Sequence, residues 1–246
     1  MLIQSILDSV SHNHFFSISC TLGRHVTVRE RVPAPGETFI DTSGPLHIYL
    51  NPASPLMTTL SLPPGFDIAN TPLVTARRVD LLWSVQEVQA FWDSTQDKPM
   101  QDGKTVFTHE IAYTIRFDTY LSDFLQPLPT ASYSAMIMTT GAHWTNYHFN
   151  GTTPAGIPGI MKLFKVAAKN WVDHFQDAVG KANRECEAAG ELCKRPRRRA
   201  IIRDYLEGHY GCENIFEPST TIMKAPQDFW NWREMPEFNA VWTVSA

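Results

Sequence analysis

"SAMIMTTGAHW" (134–144) decides how this chain is read. An apolar run of strand length, 135–138, passes into a polar turn that carries a glycine, as a strand buried on both faces does. After a loop of prolines and glycines, Ile160, Leu163, Ala167, Trp171, Phe175, Ala178 and Ala182 recur in steps of three or four. That spacing predicts one long amphipathic helix over 158–188. "RRAIIRDYL" (198–206) then reads as a second strand. Strand, helix and strand in that order make a βαβ unit, with parallel strands and a right-handed crossover.

A similar unit opens the chain. "LIQSIL" (2–7) reads as a strand, and residues 10–22 place Phe15, Ile18, Ser19 and Leu22 on one helical stripe. Residues 31–75, rich in Pro, Gly, Thr and Ser, read as an irregular excursion with edge strands such as "LHIYL" (46–50). "RRVDLLWSV" (77–85) reads as a further strand, and "KTVFTHEIAYTIRF" (104–117) as one or two more. The expected architecture is α/β, a mainly parallel sheet with helices on both faces. Neither a repeat nor a boundary divides the chain, so residues 1–246 read as a single domain.

In open sheets of this kind ligands bind at the carboxyl ends of the strands. Three polar clusters follow expected strands: Asp8-Ser9, "TTGAHWTNYH" (139–148) and "EGHYGCEN" (207–214). Their convergence at one rim is the functional expectation. Ser9 has two readings there. It is a favoured helix cap, and it is also placed as a nucleophile at a helix's positive end.

The bulk numbers exclude some classes. A chain of 246 residues buries a full core, and a net charge of −4 gives no reason to expect a nucleic-acid partner. The basic run "KRPRRR" (194–199) reads as a solvated loop rather than a polyanion patch. No stretch approaches the ~20 apolar residues of a membrane span, and no signal peptide is evident. None of Cys20, Cys186, Cys193 and Cys212 forms the C-x-x-C pair of a zinc site. Cys186 and Cys193 flank a short loop and suit a disulfide in an oxidising compartment. Asn150-Gly151-Thr152 is a weak glycosylation signal. His12 and His14 lie two apart on a helix and point in different directions, so no shared metal is expected. No cofactor is implied, and the sequence fixes no oligomeric state.

The clusters together resemble blocks of the PC-esterase family, SGNH-type acyl-esterases and polysaccharide O-acetyltransferases that include the trichome-birefringence-like proteins. "LDSVSHNHFFS" resembles the family's opening Gly-Asp-Ser strand end and helix, and Gly141-Ala142-His143-Trp144-Thr145 its Gly-x-His-Trp block. "IIRDYLEGHYGC" (201–212) is similar to its arginine strand and Gly-His-x-x-Cys turn, and "FWNWREMPEFNAVW" (229–242) to its Trp-rich stretch.

The resemblance implies an SGNH-hydrolase-like three-layer domain in the secretory pathway or Golgi. Ser9 would be the catalytic nucleophile and a glycan the substrate. Gly141, with His143 or a neighbouring amide, would form the oxyanion side of the site, with Trp144, Arg203 and His209 as substrate-binding candidates; His143 and His209 read first as hydrogen-bonded structural residues and second as a stand-in for the family's base. Trp230 and Trp232, with Phe229 and Phe238, would offer a sugar-stacking face, although such a cluster more often packs a core or covers a sheet edge. The chain also departs from the family. Leu7 replaces the glycine, no Asp-x-x-His is present, and the family's amino-terminal membrane anchor has no counterpart. The resemblance therefore implies truncation at both ends, with a C-terminal segment missing. A catalytically inactive relative that binds carbohydrate or acts as an interaction domain is the alternative.

Overall fold

The structure, a computed structural model, describes residues 2–7, 9–30, 44–96, 105–108, 113–149, 152, 154–190, 193, 195–205 and 231–245, with backbone alone at 7, 9–12, 30, 232, 244 and 245. Six strands form one sheet: β1 (Leu2–Leu7), β2 (Val26–Glu30), β3 (Leu46–Leu50), β4 (Val74–Arg78), β5 (Tyr133–Met138) and β6 (Arg199–Ile202). Their order is β2-β3-β4-β1-β5-β6. β4, β1, β5 and β6 are parallel neighbours, whereas β3 runs antiparallel to both β2 and β4. The sheet is mixed and mostly parallel. The expected βαβ unit is present as β5, α4 (Ile157–Ala189) and β6.

Strand alternation puts helices on both faces. On β4, Ala76 packs in a small cluster with Ile48 of β3 and Phe15 of α1 (Ser9–Leu22). Its neighbour Arg77 faces the other way and pairs with Asp123 of α3 (Phe117–Leu125) at 2.7 Å. The larger core lies on that second face, where α2 (Val85–Ser94), α3, α4 and α5 (Met235–Ser245) cover β1, β5 and β6. The α4 stripe predicted from spacing is buried, Ile160, Leu163, Ala167, Trp171, Phe175 and Ala182 among it. Each Leu, Ile or Phe of that stripe contributes about 1.5–3 kcal/mol relative to exposure. The polar atoms in this core are satisfied in series: Trp171 Nε1 donates to the Tyr120 hydroxyl, which donates to the Leu82 carbonyl, both at 2.8 Å.

Helix α4 can begin only because residue 159 is glycine. A Cβ there would lie 2.0 Å from the Pro154 carbonyl oxygen and 2.7 Å from the Thr152 side chain.

Several expectations need correction. Residues 77–85 are not one strand. β4 ends at Arg78, and Ser84 caps α2 through a reciprocal capping box with Glu87. Within 104–117 the described residues hold only one isolated bridge, Phe107 to Phe149, and Phe117 opens α3. The stripe Phe117, Tyr120, Leu121 and Phe124 is helical, not alternating. In the Trp-rich stretch the core-packing alternative holds for Phe238, which is fully buried within α5; Trp230, with the side chain of Trp232, lies outside the described residues. The basic run is only partly solvated. Buried Arg198 donates to the Leu125 carbonyl at 2.7 Å, and Arg195 donates to the Ala182 carbonyl. A disulfide joins Cys186 to Cys193. Among the described residues no helix is long and apolar enough to cross a membrane, and no His/Cys/Asp/Glu group could hold a metal.

Candidate functional site

The parallel register fixes which loops meet at the carboxyl rim. Leu7 pairs with Arg78 on one side of β1, and Ile6 pairs with Met138 on the other. Ile202 in turn pairs with Met138. Asp80 therefore leaves β4 at the level where Ser9 leaves β1, with Gly141 and Tyr205 at matching levels past β5 and β6. Ser9 is the first residue of α1, where backbone N–H groups lack intrahelical partners. Its side chain lies outside the described residues, as do Asp8 and His209.

The loop after β4 supplies the acid. Asp80 is 2% exposed and is forked by Arg78, whose Nε donates to Oδ1 at 3.0 Å and Nη2 to Oδ2 at 3.4 Å. The Asp80 backbone is held twice: its N–H donates to the Tyr113 carbonyl at 3.0 Å, and its carbonyl accepts from the Thr140 hydroxyl at 3.0 Å. The Arg78 guanidinium stacks 3.9 Å over the Tyr113 ring. Tyr113 and nearby Leu82 both adopt positive φ, 57° and 65°. Such backbone costs about 1–3 kcal/mol per residue and clusters at functional sites.

The loop after β5 supplies the imidazoles. His143 Nε2 lies 3.4 Å from Asp80 Oδ1, and His143 Nδ1 lies 3.3 Å from His148 Nε2. Both contacts are served when the His143 proton sits on Nε2 facing Asp80, leaving Nδ1 to accept from His148. Burial first, then the neighbouring charges of His148 and Arg78, hold the His143 pKa down at about 4. Asp80 alone would pull the other way, but Arg78 engages both of its oxygens. His143 is therefore the neutral imidazole at pH 7, oriented by an acid.

Gly141 closes this rim. A Cβ there would lie 3.3 Å from both the Tyr205 ring and the Met235 sulfur, so glycine lets the turn approach the end of β6 and the start of α5. Trp144 is packed inside the loop and is not open at the rim. It is buried, stacks on Phe149 at 5.2 Å and 10°, meets Phe164 edge-on, and donates to the Thr140 hydroxyl at 3.3 Å. Its role is to hold the 139–149 loop. Arg203 hydrogen-bonds the ring of His14 on α1, tying the tip of β6 across to the first helix. Arg116, a second arginine near the sheet, is a surface partner of Asp118 at 3.5 Å.

The structure thus brings Gly141 and His143 to the rim that Ser9 enters, and it adds Asp80, Arg78 and Tyr113. The available signal for Asp80 was a charged residue inside the otherwise apolar run "VDLLW" (79–83), which a uniformly buried strand would not carry. No family model, no curated protein and no solved structure matches the chain.

Proposed function

We propose that this chain is an SGNH-like serine acyl-esterase or O-acetyltransferase acting on acyl esters of a polysaccharide, a member of the PC-esterase group. The supporting observation is the Asp80–His143 contact at the carboxyl rim, on strands that flank the one leading to Ser9. It offers an acid–imidazole pair in a chain without Asp-x-x-His.

In this reading the Ser9 hydroxyl attacks the ester carbonyl carbon and its proton passes to His143 Nδ1, which exchanges its long 3.3 Å contact with His148 for the serine. The tetrahedral oxyanion is met by the backbone N–H groups of Ser9 and Gly141 at the helix end. The sugar alkoxide leaves with the proton from His143, giving an acyl-serine. Water then makes the enzyme a hydrolase, and a sugar hydroxyl makes it a transferase. The Cys186–Cys193 disulfide suits a secretory-pathway location.

One observation favours the alternative, an inactive relative that binds glycan: an imidazole with a pKa of about 4 is a weak base. Hydrolysis of an acetylated polysaccharide decides between them. The enzyme reading expects turnover by the parent chain and loss of at least about a hundredfold in Ser9→Ala and His143→Gln. Equal rates in all three proteins would remove both residues from the mechanism.

A further inference from the structure

A second polar site lies away from the rim, on the α3-facing side of the sheet. Central strands covered on both faces normally present apolar side chains to each face. Here Gln4 on β1, Thr75 and Arg77 on β4 and His47 on β3 line one cavity of about 260 Å³ with Tyr133 and Asp123. Burying such groups is costly unless each is satisfied. Gln4 is 1% exposed and its amide nitrogen donates to the Tyr120 carbonyl at 3.3 Å, which fixes the amide. Its Oε1 has no partner among the described residues.

The remaining groups form two units. His47 Nδ1 contacts the Thr75 hydroxyl at 2.8 Å, and that hydroxyl contacts the Tyr133 hydroxyl at 2.5 Å. Donor and acceptor can reverse along this chain. Burial, then the Arg77 charge, hold the His47 pKa below its ordinary value, and burial pushes Tyr133 up to about 12, so both are uncharged at neutral pH. The Arg77 cation is matched by Asp123, whose side chain is 41% exposed at the mouth. The cavity therefore carries balanced charge, one waiting acceptor and a reversible hydroxyl chain. Pro45, Pro127 and Leu128 add an apolar wall. Its volume falls just below the about 300 Å³ at which drug-sized pockets begin.

We infer that this cavity binds a neutral, polyhydroxylated molecule the size of one sugar ring, with ligand hydroxyls donating to Gln4 Oε1 and Asp123 and its C–H face on the proline–leucine wall. A net anion would meet the Asp123 carboxylate and a net cation the Arg77 guanidinium. The site does not depend on acyl transfer, because none of its residues belongs to the rim.

The test is saturation-transfer NMR on the full chain with neutral hexoses, pentoses and inositols, plus a uronic acid and an amino sugar as charged comparators. At least one neutral compound should bind saturably at millimolar concentration and outcompete its charged analogues. Gln4→Met, which replaces the waiting carbonyl by an apolar group, should weaken that binding about tenfold or more. Asp123→Asn, at a half-exposed position, should weaken it too and covers the case in which Gln4→Met does not fold. Ser9→Ala should bind like the parent, so that failure at the rim and failure here are distinguishable. No saturable neutral ligand up to about 50 mM, a preference for the charged comparators, or undiminished binding in the folded variants would overturn the inference.

Discussion

His143 should make this protein acid-sensitive, by an amount that follows from its surroundings. Its side chain is 12% exposed, and burial first, then the neighbouring His148 and Arg78, lowers its pKa from 6.5 to about 4. A histidine so depressed stays neutral in the folded state while the unfolded chain takes up the proton, so stability is intact above pH 6.5 and lost as pH falls towards 4. At 1.36 kcal/mol per unit, the loss is about 3 kcal/mol over that window, of which about 2 kcal/mol falls between pH 7.5 and 5. That is a large part of the 5–15 kcal/mol that holds a typical domain together. His143→Gln removes the titration and keeps a polar side chain. Urea unfolding followed by tryptophan fluorescence should show the parent more stable than the variant at pH 7.5, with the gap narrowing by about 2 kcal/mol at pH 5. A gap constant to within about 0.5 kcal/mol, or an NMR titration placing His143 at or above 6.5, would mean that the Asp80 carboxylate outweighs burial and the reasoning fails.

Three other consequences are as direct. Arg78→Met removes one of the charges that disfavour the protonated His143 and frees Asp80 to act on it, so the imidazole pKa should rise in the same NMR titration; an unchanged value would show that Arg78 does not tune the pair. Gly159→Ala forces a methyl group onto the Pro154 carbonyl and should cost about 3 kcal/mol or more in thermal or urea unfolding. Loss of less than about 0.5 kcal/mol would place the start of α4 elsewhere. Ser84→Ala removes one arm of the capping box and should cost about 1 kcal/mol without altering the near-ultraviolet spectrum of the core.

Legibility in the sequence tracked how far each signal reaches along the chain. β5 and α4 are readable because their apolar patterns are clear, and β1 and α1 because an apolar run passes into Asp8-Ser9 and then a stripe at helical spacing. β6 was readable too, although only Arg199–Ile202 pair. α2 was hidden because Leu81, Leu82 and Trp83, all buried, precede it directly and extend the look of a strand into the Ser84 cap. The Ser84–Glu87 capping box is the local cue that marks the start of α2. α3 was masked by β-branched and aromatic residues just upstream, although Phe117, Tyr120, Leu121 and Phe124 fall at helical spacing. Of the aromatics at 229–242 that admit either a sugar-stacking or a core reading, Phe238 takes the core one: it packs on Phe164, as does Trp242 further along α5.

The candidate site divides in the same way. Gly141 and His143 announced themselves by following a strong strand, whereas the Asp80–His143 contact joins two loops 63 positions apart. Only the parallel order β4-β1-β5 brings those loops to either side of the β1 tip. The burial of Trp144 is a tertiary property: Phe149 folds back on it from the end of the same loop, and the Phe164 ring reaches it from α4.

Whether residue 9 is an activated nucleophile is most directly tested by reaction with a serine-directed fluorophosphonate, read by intact mass and peptide mapping. A single adduct should form on Ser9, absent from Ser9→Ala and strongly slowed in His143→Gln and Asp80→Asn at pH 7.5. An unmodified parent chain, or an adduct formed at the same rate without His143, would contradict activation of Ser9.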